Sequence, residues 1–164
     1  MIQHQWLLPA DTVLRPPIEV RNETVITAST ERVWDVLTDV EGWPSWYRAC
    51  RWVRIEPPDG AAPSGGALRG TTFRWRAHPV TLRSTVVVAE RPHAFAIVAD
   101  ARGLHAERAF SLRPAPDGSG TVVVSEETQV GFVPRVGRRY LAPRLHAANQ
   151  AMFADLGSAL GRRT

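Results

Sequence analysis

Arg108 and a neighbouring glutamate are the residues of this sequence whose types and spacing best suit chemistry. In the strand-like run His105–Arg113, Arg108 shares its parity with Ala106, Phe110 and Leu112, so its guanidinium lies on the side of large apolar groups. In the next run, Thr121–Val130, one parity carries Val123, Ser125, Glu127 and Gln129. The other carries Val122, Val124, Glu126 and Thr128. A carboxylate beside Arg108 would give that buried charge the partner it requires. The guanidinium can hold a ligand's carboxylate or enolate. The carboxylate can accept a proton from a carbon next to a carbonyl, the step that opens an aldol-type cyclisation. The same pair can serve as a purely structural ion pair. The second parity of the last run is the more apolar, which would turn Glu126 inward instead.

Other chemistries find little support. The five histidines form no His-x-x-x-His or His-x-x-Glu spacing, and the single cysteine, Cys50, rules out an internal disulfide and a cysteine-based zinc site. His4 falls near the N-terminus, His78 and His93 at turn-like positions, His105 on the parity opposite Phe110, and His146 beside Leu145. No phosphate-binding glycine loop or nucleophile elbow is present. These absences predict a site without metal or cofactor. All 20 cationic residues are arginine and the net charge is +4, yet the arginines are scattered and no nucleic-acid-binding motif accompanies them. Nucleic acid is therefore not an expected partner. No apolar run reaches the roughly 18–20 residues of a membrane span. The N-terminus lacks the basic and apolar regions of a secretory signal, which predicts a cytoplasmic location.

The elements that must position Arg108 follow from periodicity. Residues 18–27 read as a strand, and Ser29 or Thr30 caps a helix from Glu31 in which Val33, Leu37 and Val40 form one stripe. Gly42 and Pro44 end it, and a short aromatic turn or helix, Trp43-Pro-Ser-Trp-Tyr47, follows. Strands are predicted near 50–56, 71–76, 80–90, 94–100, 105–113 and 121–130, with a Pro-, Gly- and Ala-rich loop at 57–70 and a strong turn at 114–120. Long crossovers are missing between these runs, so the sheet is expected to be antiparallel. The tail changes period: Leu141, Leu145, Ala148, Met152, Leu156 and Leu160 form a helical stripe, with Pro143 expected in the first turn.

This order, together with particular segments, resembles the START/polyketide cyclase-like superfamily. The segments are Ile26 through Trp46, with Val33-Trp-Asp-Val-Leu-Thr-Asp39 and Trp43-Pro-Ser-Trp46, then Gly70-Thr-Thr-Phe-Arg-Trp-Arg76, Glu90-Arg-Pro92 and Ser125-Glu-Glu-Thr128. The resemblance spans roughly residues 18–162. It implies an α+β helix-grip fold, a curved antiparallel sheet of about seven strands wrapped around a long C-terminal helix, with two short helices after the first strand. Residues 1–17 would form an N-terminal extension, adding an edge strand or covering a surface, and 18–164 a single domain. The resemblance also implies a cavity between the concave sheet face and the long helix. Strand parity then predicts a lining of Phe73, Trp75, Leu82, Phe95, Ile97 and Phe110, with Leu145 and Met152 from the helix and Trp46 from the aromatic turn. The family pattern favours the parity that brings Glu127 towards Arg108. Many relatives carry histidine where this chain has Arg108, which weakens any transfer of an acid–base role.

The function these features favour is binding of a hydrophobic small molecule, such as a polyketide, lipid or isoprenoid. An alternative is a cyclase/aromatase-like enzyme performing aldol-type cyclisation or dehydration, with Arg108 and Glu127 as catalytic groups. A third is a stress or regulatory protein that acts through its surface. The aromatic cluster Trp43, Trp46 and Tyr47 would seal one end of the cavity or form a lid hinged at Gly42. A monomer or homodimer is expected.

Overall fold

The structure, a computed structural model, describes residues 17–56, 69–77 and 79–162. Residues 1–16 of the expected extension, most of the 57–70 loop, His4 and His78 lie outside the described residues. The elements follow the predicted order: β1 (Ile18–Ile26), α1 (Thr30–Thr38), α2 (Trp43–Trp46), β2 (Cys50–Glu56), β3 (Thr72–Ala77), β4 (Val80–Glu90), β5 (Ala94–Ala101), β6 (Leu104–Pro114), β7 (Thr121–Val130) and α3 (Phe132–Gly161). The strands form one antiparallel sheet in the order β1-β7-β6-β5-β4-β3-β2. Only β1 is out of sequence order, because α1 and α2 carry the chain across the concave face before β2 starts at the opposite edge. The sheet grips α3, so this is the helix-grip fold.

Local chemistry sets the element ends. The Ser29 hydroxyl accepts from the Arg32 backbone N–H at 3.4 Å and caps α1. The Trp43 indole donates to the Leu37 carbonyl at 2.9 Å, which ties α2 to the end of α1. A register shift between Val86 and Val88 bends β4, as curvature requires of a sheet that wraps a helix. The buried carboxylate of Asp155 accepts from the Arg48 backbone N–H at 3.0 Å and from its Nε at 2.7 Å, pinning the corner after α2 onto α3.

The helix α3 departs from expectation. It begins at Phe132 and runs 30 residues, so Pro143 lies inside it and not in its first turn. The apolar stripe from Leu141 onward marks only the part that faces the sheet. The preceding turns are hidden because their apolar residues fall on two faces, with Phe132, Val136 and Tyr140 outward and Val133 on the cavity. Gly131 makes the junction: at φ 117° it takes a backbone conformation that favours glycine, and a Cβ there would stand 2.5 Å from the Gly103 carbonyl oxygen.

The core occupies one end of the grip. Val33 and Leu37 of α1, Trp43, Phe73, Phe95, Phe110, Val123, and Leu156 and Leu160 of α3 are almost wholly buried there. Phe95 stacks on Phe110 at 6.1 Å and meets Trp34 edge-on at 6.3 Å, while Trp43 meets Phe73 edge-on at 5.7 Å. Beneath the 114–120 turn, Val122 and Val124 pack with Ala115 in a satellite cluster on the convex face. That cluster is why the outward parity of β7 is apolar. Among the described residues no helix is long and apolar enough to cross a membrane.

Candidate functional site: a cavity with one polar wall

The other end of the grip is hollow. A cavity of about 370 Å³ lies between the middle of α3 and the concave face of β3 to β7. Trp75 and Leu82 form one wall, and Ile97, Ala99, Ala106 and Phe110 the floor. Trp43 and Tyr47 close the inner end, and Leu141, Leu145, Ala148 and Met152 of α3 form the roof. The floor is deepest where its residues are small: Ala99 pairs with Ala106 across β5 and β6, and the inward rows on either side carry larger side chains. The Trp75 indole is held by a 3.0 Å hydrogen bond to Ser84 Oγ and lies edge-on to Trp43 at 5.2 Å.

One wall is polar. Arg108 and Glu127 are directly opposed across β6 and β7, and both side chains point inward and are buried. Arg108 Nε donates to Ser125 Oγ at 3.0 Å and stands 3.8 Å from Glu127 Oε2, with its guanidinium carbon 4.6 Å from the centre of the Phe110 ring. Its Nη2 is buried and has no hydrogen-bond partner among the described residues. Glu127 is fixed on both oxygens: Gln129 Nε2 donates to Oε1 at 2.8 Å, and Asn149 Nδ2 of α3 donates to Oε2 at 3.1 Å. Glu126 faces solvent and meets Arg21 at 3.6 Å, so the inward glutamate is Glu127.

Tyr47 completes the polar set. It is buried on the cavity wall, and burial is the main cause that pushes its hydroxyl above the ordinary value. Arg108 opposes that rise and Glu127 adds to it, so the hydroxyl lies in the field of both. At neutral pH it is a protonated donor. Burial pushes the Cys50 thiol up to about 11, which leaves it protonated and a poor nucleophile. The arrangement thus offers an apolar cavity whose lining includes a cation, a carboxylate and a phenol.

A family model described as polyketide cyclase / dehydrase and lipid transport matches residues 17–160. The chain belongs to this family. Solved structures with the same fold include a hypothetical protein from Helicobacter pylori (TM-score 0.74, 15% identity, covering 88% of this chain and 89% of that one). The Zhui aromatase/cyclase of a Streptomyces species aligns at TM-score 0.71 and 17% identity, over 88% of this chain and 94% of its own. A START superfamily protein from Mycobacterium smegmatis aligns at 0.67 and 14%, over 89% and 99%. At these identities the likeness establishes the fold alone. Among curated proteins none is significantly similar to this chain.

In this family member, six of the residues expected in the lining from parity stand on the cavity wall: Trp75, Leu82, Ile97, Phe110, Leu145 and Met152. Three do not. Phe73 and Phe95 have the inward parity but lie two residues further along their strands, roughly 7 Å away, and are sealed in the core. Trp46 is buried behind the wall, stacked on Tyr47 at 5.9 Å. Alternation gives the face of a residue and not how far along the strand the hollow extends. Tyr47 and Trp43 of the aromatic cluster close the inner end of the cavity. Residue pattern alone does not mark Asn149 and Gln129 as carboxylate partners. The inward parity of β7 already includes Gln129, and Asn149 follows Leu145 by four residues on the helical stripe.

Proposed function

We propose that this protein binds a hydrophobic, largely planar small molecule in the α3–sheet cavity and orients it by an oxygen, anionic or enolisable, placed at Arg108. The supporting observation is the combination of an apolar slot lined by Trp75, Ile97, Phe110 and Leu145 with a guanidinium whose donors are only partly used within the protein. Apolar walls give affinity by area burial, and a few placed polar groups give orientation. Membership of a family described by both cyclase/dehydrase and lipid transport is consistent with a bound apolar ligand.

A pair of naphthalene probes tests this reading, one carrying a sulfonate (anilinonaphthalene sulfonate) and one uncharged (phenylnaphthylamine). Both should bind and fluoresce. Arg108→Met should weaken the sulfonate probe by roughly 10- to 100-fold, as loss of a charge-assisted hydrogen bond predicts, and leave the uncharged probe within about twofold. Equal loss of both probes, or of neither, removes Arg108 from ligand orientation.

A second reading, cyclase/aromatase-like catalysis, is favoured by the inward Arg108–Glu127 pair beside Tyr47. Glu127 would take a proton from the carbon between two carbonyls, and Arg108 would hold the resulting enolate oxygen. That carbon would bond to the carbon of a further carbonyl of the same chain, whose oxygen would take the Tyr47 proton, and the proton held by Glu127 would restore the phenol.

A further inference from the structure

We propose that the first half of α3 docks the protein onto an anionic phospholipid surface, with the cavity mouth at the membrane. Phe132, Val136 and Tyr140 recur every four residues and form one ridge of the helix, and they are 74%, 71% and 68% exposed. Large apolar side chains at that spacing on a helix normally face a core. Here they face outward, next to the row that does face the sheet.

The charges beside the ridge are all positive. At about 100° per residue, Arg139 and Arg135 fall on one flank of the ridge and Arg144 on the other, with Arg138 beyond Arg135. No acidic residue occurs between Glu127 and Asp155. Arg102 adds a fifth cation from the turn whose Gly103 carbonyl accepts the Val133 backbone N–H at 3.1 Å. None of these five arginines forms an ion pair among the described residues, although Arg144 lies over the Tyr140 ring at 4.3 Å. A convex apolar ridge flanked by arginines on both sides is the pattern of a helix lying in a lipid interface. An acidic protein would match the charge but offers a convex ridge no apolar layer to enter.

Position gives the surface a consequence. Val133, Leu141 and Arg144 line the cavity, and Val80, on the far side of the mouth, is also exposed. Docking by the ridge would set the mouth against the membrane. The inference stands on helix geometry and charge and not on what the cavity holds.

Sedimentation of the full chain with vesicles tests it, comparing phosphatidylcholine alone with phosphatidylcholine–phosphatidylglycerol mixtures. Binding is expected only to the anionic vesicles and should weaken as salt is raised. Phe132→Ser/Val136→Ser/Tyr140→Ser should abolish it. Arg135→Gln/Arg138→Gln/Arg139→Gln should lower partitioning about a hundredfold, at about fivefold for each arginine. Val25→Ser, an exposed valine on β1, should change nothing. These substitutions touch solvent-facing positions, and an unchanged circular dichroism spectrum verifies that the variants fold. Equal sedimentation with both vesicle types, or full binding by either triple variant, overturns the proposal. So does a concentration-dependent dimer broken by the serine variant without vesicle binding, which would assign the ridge to a second copy. Retention on polyglutamate without vesicle binding would assign it to an acidic protein and overturn it equally.

Discussion

A cation buried next to an aromatic face is stable only where its donors and its charge are met, and Arg108 meets this condition in part. Ser125 takes its Nε, Phe110 lies beneath it and Glu127 balances it at 3.8 Å, while Nη2 has no acceptor among the described residues. Glu127 is better satisfied, with Gln129 and Asn149 each on one oxygen. This asymmetry separates the two functional readings in one variant. Glu127→Gln keeps the shape of the site and removes the charge that competes for Arg108. Under the binding reading, affinity for an anionic probe should rise about tenfold, the equivalent of about 1.4 kcal/mol. Under the catalytic reading, turnover of a poly-β-carbonyl substrate should fall by 100-fold or more, since the proton acceptor is lost. Titration of the sulfonate probe and a product assay check both. The pair itself was legible, because period-2 alternation in two adjacent strands confines each side chain to one of two faces. The choice between Glu126 and Glu127 was not legible from hydrophobicity, since Val122 and Val124 pack beneath Ala115 and give the outer face a core-like pattern. Tyr47 was visible as an aromatic but not as a donor in the field of Arg108, because that depends on how α2 docks.

At the scale of elements, strand parity and turn residues specify the sheet in outline, while the start of α3 at Phe132 departs from the helical stripe. A helix is visible in sequence where one face is apolar and the other polar. Over residues 132–143 apolar side chains occur on two faces, one toward the mouth and one toward solvent, so the pattern blurs. Pro143 then looked like a beginning, although a long helix packed along its length can tolerate one missing N–H. Two glycines of the β7–α3 unit should respond with opposite sign to the same substitution. Gly131→Ala places a methyl in a backbone region reserved for glycine and against the Gly103 carbonyl, and should destabilise the protein by about 1–3 kcal/mol. Gly157→Ala meets nothing within 4 Å among the described residues inside regular helix and should stabilise it by about 0.5–1 kcal/mol. Urea unfolding of the two variants measures both. A loss at Gly157 or a gain at Gly131 would mean that the described course of α3 is wrong.

Over the whole molecule, the packed core and the candidate site occupy opposite ends of the same grip. The packed end holds Trp43, Phe73, Phe95, Leu37 and Leu156, while the hollow end encloses the cavity and opens at a mouth bordered by α3. A ligand filling that hollow should therefore act as a missing part of the core. At a ligand concentration 100 times its Kd, binding stabilises the folded state by about 2.7 kcal/mol. For a chain of this size that corresponds to a rise in Tm of roughly 5–10 °C. Ala148 offers a control, since it is exposed and yet lines the cavity. Ala148→Trp should fill the slot from the helix side as a ligand would, so the free variant should melt no lower than the parent protein and the ligand-dependent rise should be lost. Calorimetry of both proteins with the uncharged naphthalene probe decides the matter. A full rise in the tryptophan variant would place the probe outside the cavity, and no rise in either would favour a protein that acts through its surface.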